Sequence, residues 1–469
     1  MKTSIIKFLL VSGILIVGSG CSDFLDVNDN PNAAKDVKEG LLVTSTETIT
    51  AYNVTGGFPA RVSSYWTQQV SFNTPGPDID SYQMLASTVE NTWTFDLYAG
   101  ILKNLKVLEE KTTDNGNNYY CAIAKIMLAY NMGVVTDLWN DVPYSDAFQG
   151  SENSQPKYDS QEKVYEEIGQ LLNDGIELAG KSYEGEKPGS DDLIYGGDMD
   201  EWTKFAYMLK ARYALRLINA PGKDKAAQCN AALAALKNGF SGSGDNAAVP
   251  FSTSAGGEAP WYQFIQKWSG AYMASTFINM LKASNDPRIS VIAEKAKEGN
   301  AYIGHVIGSE HLTDDEVSAV GDLFAKADAP VYLATYAEAL FIKAEATYWT
   351  KGFAAAQPIL TAAVKETAAE WGMDPESLAM TTYITAHCTL TSGNAYQVIM
   401  TQKYISNFLS LEAFNDWRRS GFPKLSPVEN AYINTIPRRW VYSSQEVSSN
   451  PQPEQSGVKL TGRVWWDTK

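Results

Sequence analysis

The chain has 469 residues, 44% of them hydrophobic, and a formal net charge of −16. That is enough apolar content for one large core or two ordinary ones, and so acidic a surface argues against nucleic acid and anionic headgroups as partners. Four cysteines and three histidines, with no CxxC, HExxH or mixed Cys–His spacing, leave no zinc centre to expect.

The amino terminus reads as an export signal. Lys2 and Lys7 give a positive start, and the apolar run "FLLVSGILIV", Phe8 to Val17, is too short to span a bilayer as a helix. Gly18, Ser19 and Gly20 then precede Cys21, the pattern of a bacterial lipoprotein cut before an acylated cysteine, although Gly18 stands where leucine is usual. Each buried methylene contributes about 0.8 kcal/mol, so two or three acyl chains on Cys21 would hold the protein where one would not. Losing the two leader lysines takes the net charge from −16 to −18. The expected organisation is therefore a signal over 1–20, a lipidated acidic tether over 21–38, and one body over 39–469. A calcium loop in "DVNDN" is rejected, because Pro31 replaces the required glycine and Val37 the bidentate glutamate.

Helical periodicity dominates the body. It predicts helices over Leu41–Asn53, Thr92–Thr112, Asn118–Trp139, Gln161–Ala179 and Asp200–Asn219, then over Asp224–Asn238 and Ala271–Ala283. Further helices are predicted over Val331–Thr350, Phe353–Trp371 and Ala395–Ser420. Asp198 and either Asp159 or Ser160 supply start signals, and Gly352 separates two helices by a tight turn. Leu340, Ala344, Ala356, Leu360 and Ala363 follow tetratricopeptide spacing, in which small residues let paired helices approach. The pairs around 119–179 and 200–238 fit only with long inserts, so the fold class is all-α with degenerate tetratricopeptide pairs. Such stacks bury their faces on neighbours and behave as one body.

Three stretches break this pattern: Phe72–Asn91, Gly239–Gly270 and Pro423–Gly462. Loops of such length in a helical body are commonly functional. Cys121, Cys229 and Cys388 allow at most one disulfide, and Cys121 in "YYCAIAKIMLAY" reads as a small core residue. No GxGxxG, P-loop or GxSxG signature is present, so neither cofactor nor nucleophile is indicated.

Seven short segments occur in a telling order: "GCSDFLDVNDNPN", "DLWNDVPYSDAF", "IYGGDMDEWTKFAYMLKARYALR", "SNDPR", "EAFNDWRRSGFP", "PRRWVYSSQEVSSN" and "RVWWD". With them the chain resembles the SusD/RagB family of nutrient-binding surface lipoproteins nearly end to end. It departs at Ser443, where proline is frequent, and its partial acidic signal after Cys21 is Asp23 and Asp26. The resemblance implies a SusD-like fold, attachment to the outer face of the outer membrane, and a SusC-like TonB-dependent transporter as partner. It also implies a non-catalytic protein that captures oligosaccharide, with peptide as the alternative ligand and an all-α surface glycoside hydrolase as the competing class.

Among the aromatics, Trp261 and Tyr262 follow Pro260 in a glycine-rich stretch, with Trp268 shortly after. Exposed rings stack on sugar faces, and burying roughly 80 Å² contributes on the order of 2 kcal/mol before ordering costs. The resemblance adds the region before Thr92, including Tyr65, Trp66, Tyr82, Asn91 and Trp93. Trp261, Tyr262, Tyr82, Trp66 and Trp268 are the candidate ligand residues, with Trp93 assigned to packing. Arg418, Arg419, Arg438 and Arg439 are assigned to pairing with acids such as Asp416 or Glu446, and Trp465 and Trp466 to closing the core.

Overall fold

A computed structural model of the chain describes residues 37–268, 271–452 and 457–468. The leader, Cys21 and the tether up to residue 36 lie outside the described residues. Within the body, α1 (Glu39–Ile49) runs into a π-helical turn, Thr50–Thr55, and α2 (Phe58–Trp66) follows. A second π-helical stretch, Asn91–Leu102, continues as α3 (Lys103–Asn115). Then come α4 (Asn118–Trp139), α5 (Gln161–Ala179), α6 (Met199–Arg216) and α7 (Lys225–Ala235). After α8 (Pro260–Trp268) and α9 (Ser275–Ala283), the chain forms α10 (Tyr336–Lys351) and α11 (Phe353–Glu370). Helices α12 (Leu378–His387), α13 (Ala395–Ser406), α14 (Leu411–Ser420) and α15 (Ser444–Ser449) follow, and two one-turn helices, Ile289–Ile292 and Asp322–Ala325, lie between α9 and α10.

The expected starts hold. Ser160 accepts from the Lys163 amide at 3.3 Å, and Asp198 accepts from the Asp200 and Glu201 amides at 3.0 and 3.2 Å, satisfying donors that the first turn leaves unpaired. Gly352 has φ 84 and links α10 to α11 in the left-handed region that glycine enters freely. The predicted pairs form as α4 on α5, α6 on α7 and α10 on α11, and α5–α6 and α7–α10 contacts join them into one stack. Gly133 is one reason the stack is tight: a Cβ there would lie 2.2 Å from the Tyr213 Oη of α6. Helix α4 is apolar enough to cross a membrane by length and composition, yet 89% of its apolar window is buried in the body.

Some boundaries differ from expectation. The predicted helix at Val331 begins as a strand, β6 (Val331–Ala334), before Thr335 caps α10. That strand pairs antiparallel with β4 (Ala247–Val249), Val331 and Leu333 facing in and Tyr332 out, the period-two pattern of a half-covered strand. Antiparallel ribbons also join β1 (Val70–Ser71) to β5 (Tyr272–Met273) and β2 (Val142–Pro143) to β3 (Tyr158–Asp159). The predicted helix Ala395–Ser420 is two helices, because Leu409 adopts φ 62 and Ser410 caps α14. Part of the stretch 239–270, read as a loop, is the helix α8. Cys121, Cys229 and Cys388 are buried free thiols, and burial pushes the Cys229 thiol up to about 11 and the Cys388 thiol up to about 12.

The core is crossed by a charged seam. Asp137 of α4 pairs with Arg216 of α6 and accepts from the Trp466 indole at 2.8 Å and from the Tyr165 hydroxyl at 2.5 Å. Arg216 also pairs with Glu412 of α14. Arg418 donates to the Asp137 carbonyl at 2.7 Å and lies 4.6 Å from the Trp466 ring centroid. Arg419 pairs with Glu345 at 2.5 Å and Asp416 at 2.8 Å, and Arg438 Nε reaches Asp467 at 2.6 Å. Arg419 and Arg438 are thus held by acids inside the body, as expected, whereas Arg418 and Arg439 depart from that expectation: Arg418 donates to the Asp137 and Arg438 carbonyls and to Asn415 Oδ1, and Arg439 to the Trp139 and Trp440 carbonyls. Trp466 is fully buried and Trp465 partly so.

Candidate functional site

Two of the irregular stretches meet at one open cleft of about 650 Å³. Its floor begins at the π-helical turn, where Tyr52 and Asn53 project, and continues over Phe58 and Arg61 of α2. One wall comes from Thr88, Asn91, Thr92, Phe95 and Asp96. Opposite stand Pro260, Gln263 and Phe264 of α8. Both π-helical segments therefore line the same space. A π-turn inserts an extra residue per turn and redirects side chains, and such turns recur at functional sites.

The polar groups form two bonded sets. Tyr52 donates its hydroxyl to Gln263 Oε1 at 2.9 Å, and Gln263 donates onward to Glu258 Oε2 at 2.9 Å. Asn53 Nδ2 donates to Asp96 Oδ1 at 2.5 Å. The Arg61 guanidinium lies 4.3 Å from the Phe264 ring centroid, a cation–π contact. Burial pushes the Tyr52 hydroxyl up against the opposing pull of Arg61, and pulls the Arg61 guanidinium down. Burial likewise raises the Asp96 carboxyl, moderated by Asn53. Phe95 is 62% exposed. An open apolar ring beside amide, guanidinium and carboxylate groups suits a ligand with flat apolar faces and a hydroxylated edge.

The five candidate residues are not brought together. Trp66 is fully buried, its indole donating to the Ile79 carbonyl at 3.0 Å and its ring edge-on to Phe414 at 5.5 Å. Tyr82 is also fully buried and accepts from the Val428 amide at 3.2 Å. Neither ring presents a face to solvent, because each fills space between the segment after α2 and the carboxyl-terminal region. They are packing residues. Trp261 is buried against Phe264, ring centroids 6.3 Å apart; it faces a separate cavity rather than the cleft. Tyr262 is half-buried on the same helix. Trp268 ends α8, and its side chain lies outside the described residues.

Of the wider region before Thr92, Asn91 does line the cleft, whereas Tyr65 and Trp93 are buried. Tyr52, Arg61, Phe95 and Gln263 were not singled out from sequence. Phe264 and Gln263 were recoverable: Trp261, Phe264, Ile265 and Trp268 keep helical spacing after a proline. Tyr52 and Phe95 carry no such signal, since a π-turn shifts the face on which a residue emerges. No group of three or more histidine, cysteine or acidic side chains able to hold a metal occurs among the described residues.

Stacked helix pairs, seamed by buried charge and interrupted by inserts that build one surface cleft, define the architecture as SusD-like. The family model described as "Starch-binding associating with outer membrane" matches residues 31–443, and the chain belongs to this SusD-like family. Solved structures agree on the fold. A SusD/RagB family protein from Bacteroides thetaiotaomicron superposes with TM-score 0.79 at 24% identity, over 92% of this chain and 99% of that one. A chitin-binding SusD homolog from Flavobacterium johnsoniae gives TM-score 0.78 at 23% identity, over 92% and 98%. A structure titled chitin-binding protein gives 0.78 at 24%, over 92% and 100%. No curated protein sequence matches the chain.

Proposed function

We propose that this chain is a surface lipoprotein, anchored through Cys21 to the outer membrane, that captures oligosaccharide in the Tyr52–Phe95 cleft and passes it to a SusC-like TonB-dependent transporter. The observation that carries the reading is the convergence of both π-helical segments on one open cleft, with Phe95 exposed beside Asn53, Arg61, Asp96 and Gln263. The family description and the chitin-binding neighbours favour glycan over peptide. Binding without hydrolysis is favoured because the family description and the chitin-binding neighbours name binding alone.

The test is calorimetric titration of the mature protein with starch- and chitin-derived oligosaccharides, with a reducing-end assay on the same mixtures. Micromolar to millimolar binding without new reducing ends supports the reading. Turnover, or tight binding of peptides alone, would replace it. Labelling cells with radioactive palmitate should mark the wild-type chain and fail to mark Cys21→Ser.

A further inference from the structure

Helix α8 has a second space behind it. Pro260 borders both the cleft and a more enclosed cavity of about 340 Å³, within the roughly 300–1,000 Å³ of small-molecule pockets. Five aromatic residues stand on its wall. Phe324 stands edge-on to Trp371 at 5.4 Å and to Phe408 at 5.0 Å, and Trp261 and Tyr332 border the same space. Tyr332 keeps 44% of its surface exposed.

The charges around this cavity do not balance internally. Glu338 is matched by Arg212, with bonds of 2.8 and 2.6 Å. Lys326 lies 3.5 Å from Asp328. Glu370, at the end of α11, accepts from the Ala337 amide at 3.1 Å and from Asn246 Nδ2 at 3.2 Å, and has no cationic partner among the described residues. Burial outweighs those two hydrogen bonds and a further one from the Thr335 side chain and, with Glu366 nearby, pushes its carboxyl up to about 7. A desolvated acid without a counter-charge lowers stability. A residue that breaks this local rule at the wall of a cavity marks a functional place.

A protonated amine would complete the set. It offers the carboxylate a charge-assisted hydrogen bond and the ring faces a cation. Asn407 and Ser410 on the same wall add groups that hydroxyls can bond. We infer that this cavity is a second ligand site, separate from the cleft, that takes a sugar bearing a primary ammonium, the nitrogen set against Glu370 and the ring against Trp371 and Tyr332. The inference does not depend on what occupies the cleft.

Titration of the mature protein with D-glucosamine, D-glucose and the dipeptide Gly-Tyr near pH 7.5 tests it. Glucosamine should bind saturably with one site, and glucose at least tenfold more weakly. Glu370→Gln should weaken glucosamine at least tenfold while leaving oligosaccharide binding in the cleft unchanged, and Tyr332→Ala should weaken it several-fold. Glu370→Gln removes an uncompensated charge, so its thermal midpoint should not fall; Tyr332→Ala, at a half-exposed ring, is the second folded variant. Absence of glucosamine binding would overturn the inference, as would equal binding of glucose or undiminished binding by Glu370→Gln. Preference for Gly-Tyr would also overturn it, and so would an equal loss of glucosamine binding in the cleft variant Asp96→Asn.

Discussion

The seam at Asp137 and the cleft at Tyr52 use the same materials, charged and amide groups set among aromatic rings. In the seam each main charge finds its partner inside the body: Arg216 lies between Asp137 and Glu412, and Arg419 between Glu345 and Asp416. Its rings are closed off, Trp466 among them. In the cleft the polar groups also bond to one another, but at a surface, and Phe95 is left open to solvent. Partnering within the protein turns such a cluster into a clamp, whereas open ring faces and edges leave it able to meet a ligand, as the proposed function requires. The two regions should therefore respond to substitution in opposite ways.

Asp137→Ala is expected to have the largest effect. It would leave Arg216 with Glu412 alone and unpair the Tyr165 hydroxyl and the Trp466 indole, and breaking a buried ion pair typically costs about 3–5 kcal/mol. Urea unfolding should show that loss, or the variant should fail to accumulate as folded protein. A loss under about 1 kcal/mol would mean that the seam is not a clamp. Trp261→Ala comes next, because the ring is buried against Phe264. A cost of about 3 kcal/mol is expected, at the low end for removing a buried tryptophan, whereas Tyr262→Ala on the same helix should cost less than about 1 kcal/mol.

Phe95→Ala sharpens the contrast from the other side. At 62% exposure the ring contributes little to folding, so stability should change by no more than about 0.5 kcal/mol. Oligosaccharide affinity should fall about tenfold, equivalent to roughly 1.4 kcal/mol. Titration and unfolding of the one variant give both numbers. Unchanged affinity would remove Phe95 from the binding surface.

The same division explains what was legible in the sequence. "DLWND", "EAFNDWRRSGFP" and "RVWWD" are recognisable because Asp137, Glu412, Arg418, Arg419, Trp466 and Asp467 each have fixed partners inside the body; a residue with several fixed partners leaves a pattern. The helix pairs were readable for a related reason, since their periodicity records which face is buried. The cleft residues have no such obligations. Tyr52 and Phe95 emerge from π-helical turns, where the 3.6-residue period does not predict the face. Trp66 and Tyr82 are candidates because the resemblance points to the region before Thr92, but that region buries both rings. The insert at 239–270 borders the cleft through Gln263 and Phe264, although its tryptophan Trp261 turns inward.

That insert is also where the smallest effect is expected. Asp245 pins its first half to α6, accepting from Lys204 at 2.8 Å, from the Ser241 amide at 2.5 Å and from the Ser241 hydroxyl at 2.8 Å. Burial alone would raise this carboxyl, but the bonds from Lys204 and Ser241 prevail and hold it down at about 2. Its folded value lies below the unfolded one near 3.8, so the stabilisation is fully present above about pH 4 and is lost as pH falls toward 2. Asp245→Asn keeps an acceptor but no charge, so at neutral pH it should lower stability by less than about 1 kcal/mol, the scale of a part-exposed ion pair. The gap between wild type and variant should close as urea unfolding is repeated from pH 5 down to pH 2. A gap independent of pH would show that Asp245 acts through shape alone, and that the insert bordering the cleft is not held by charge as the seam is.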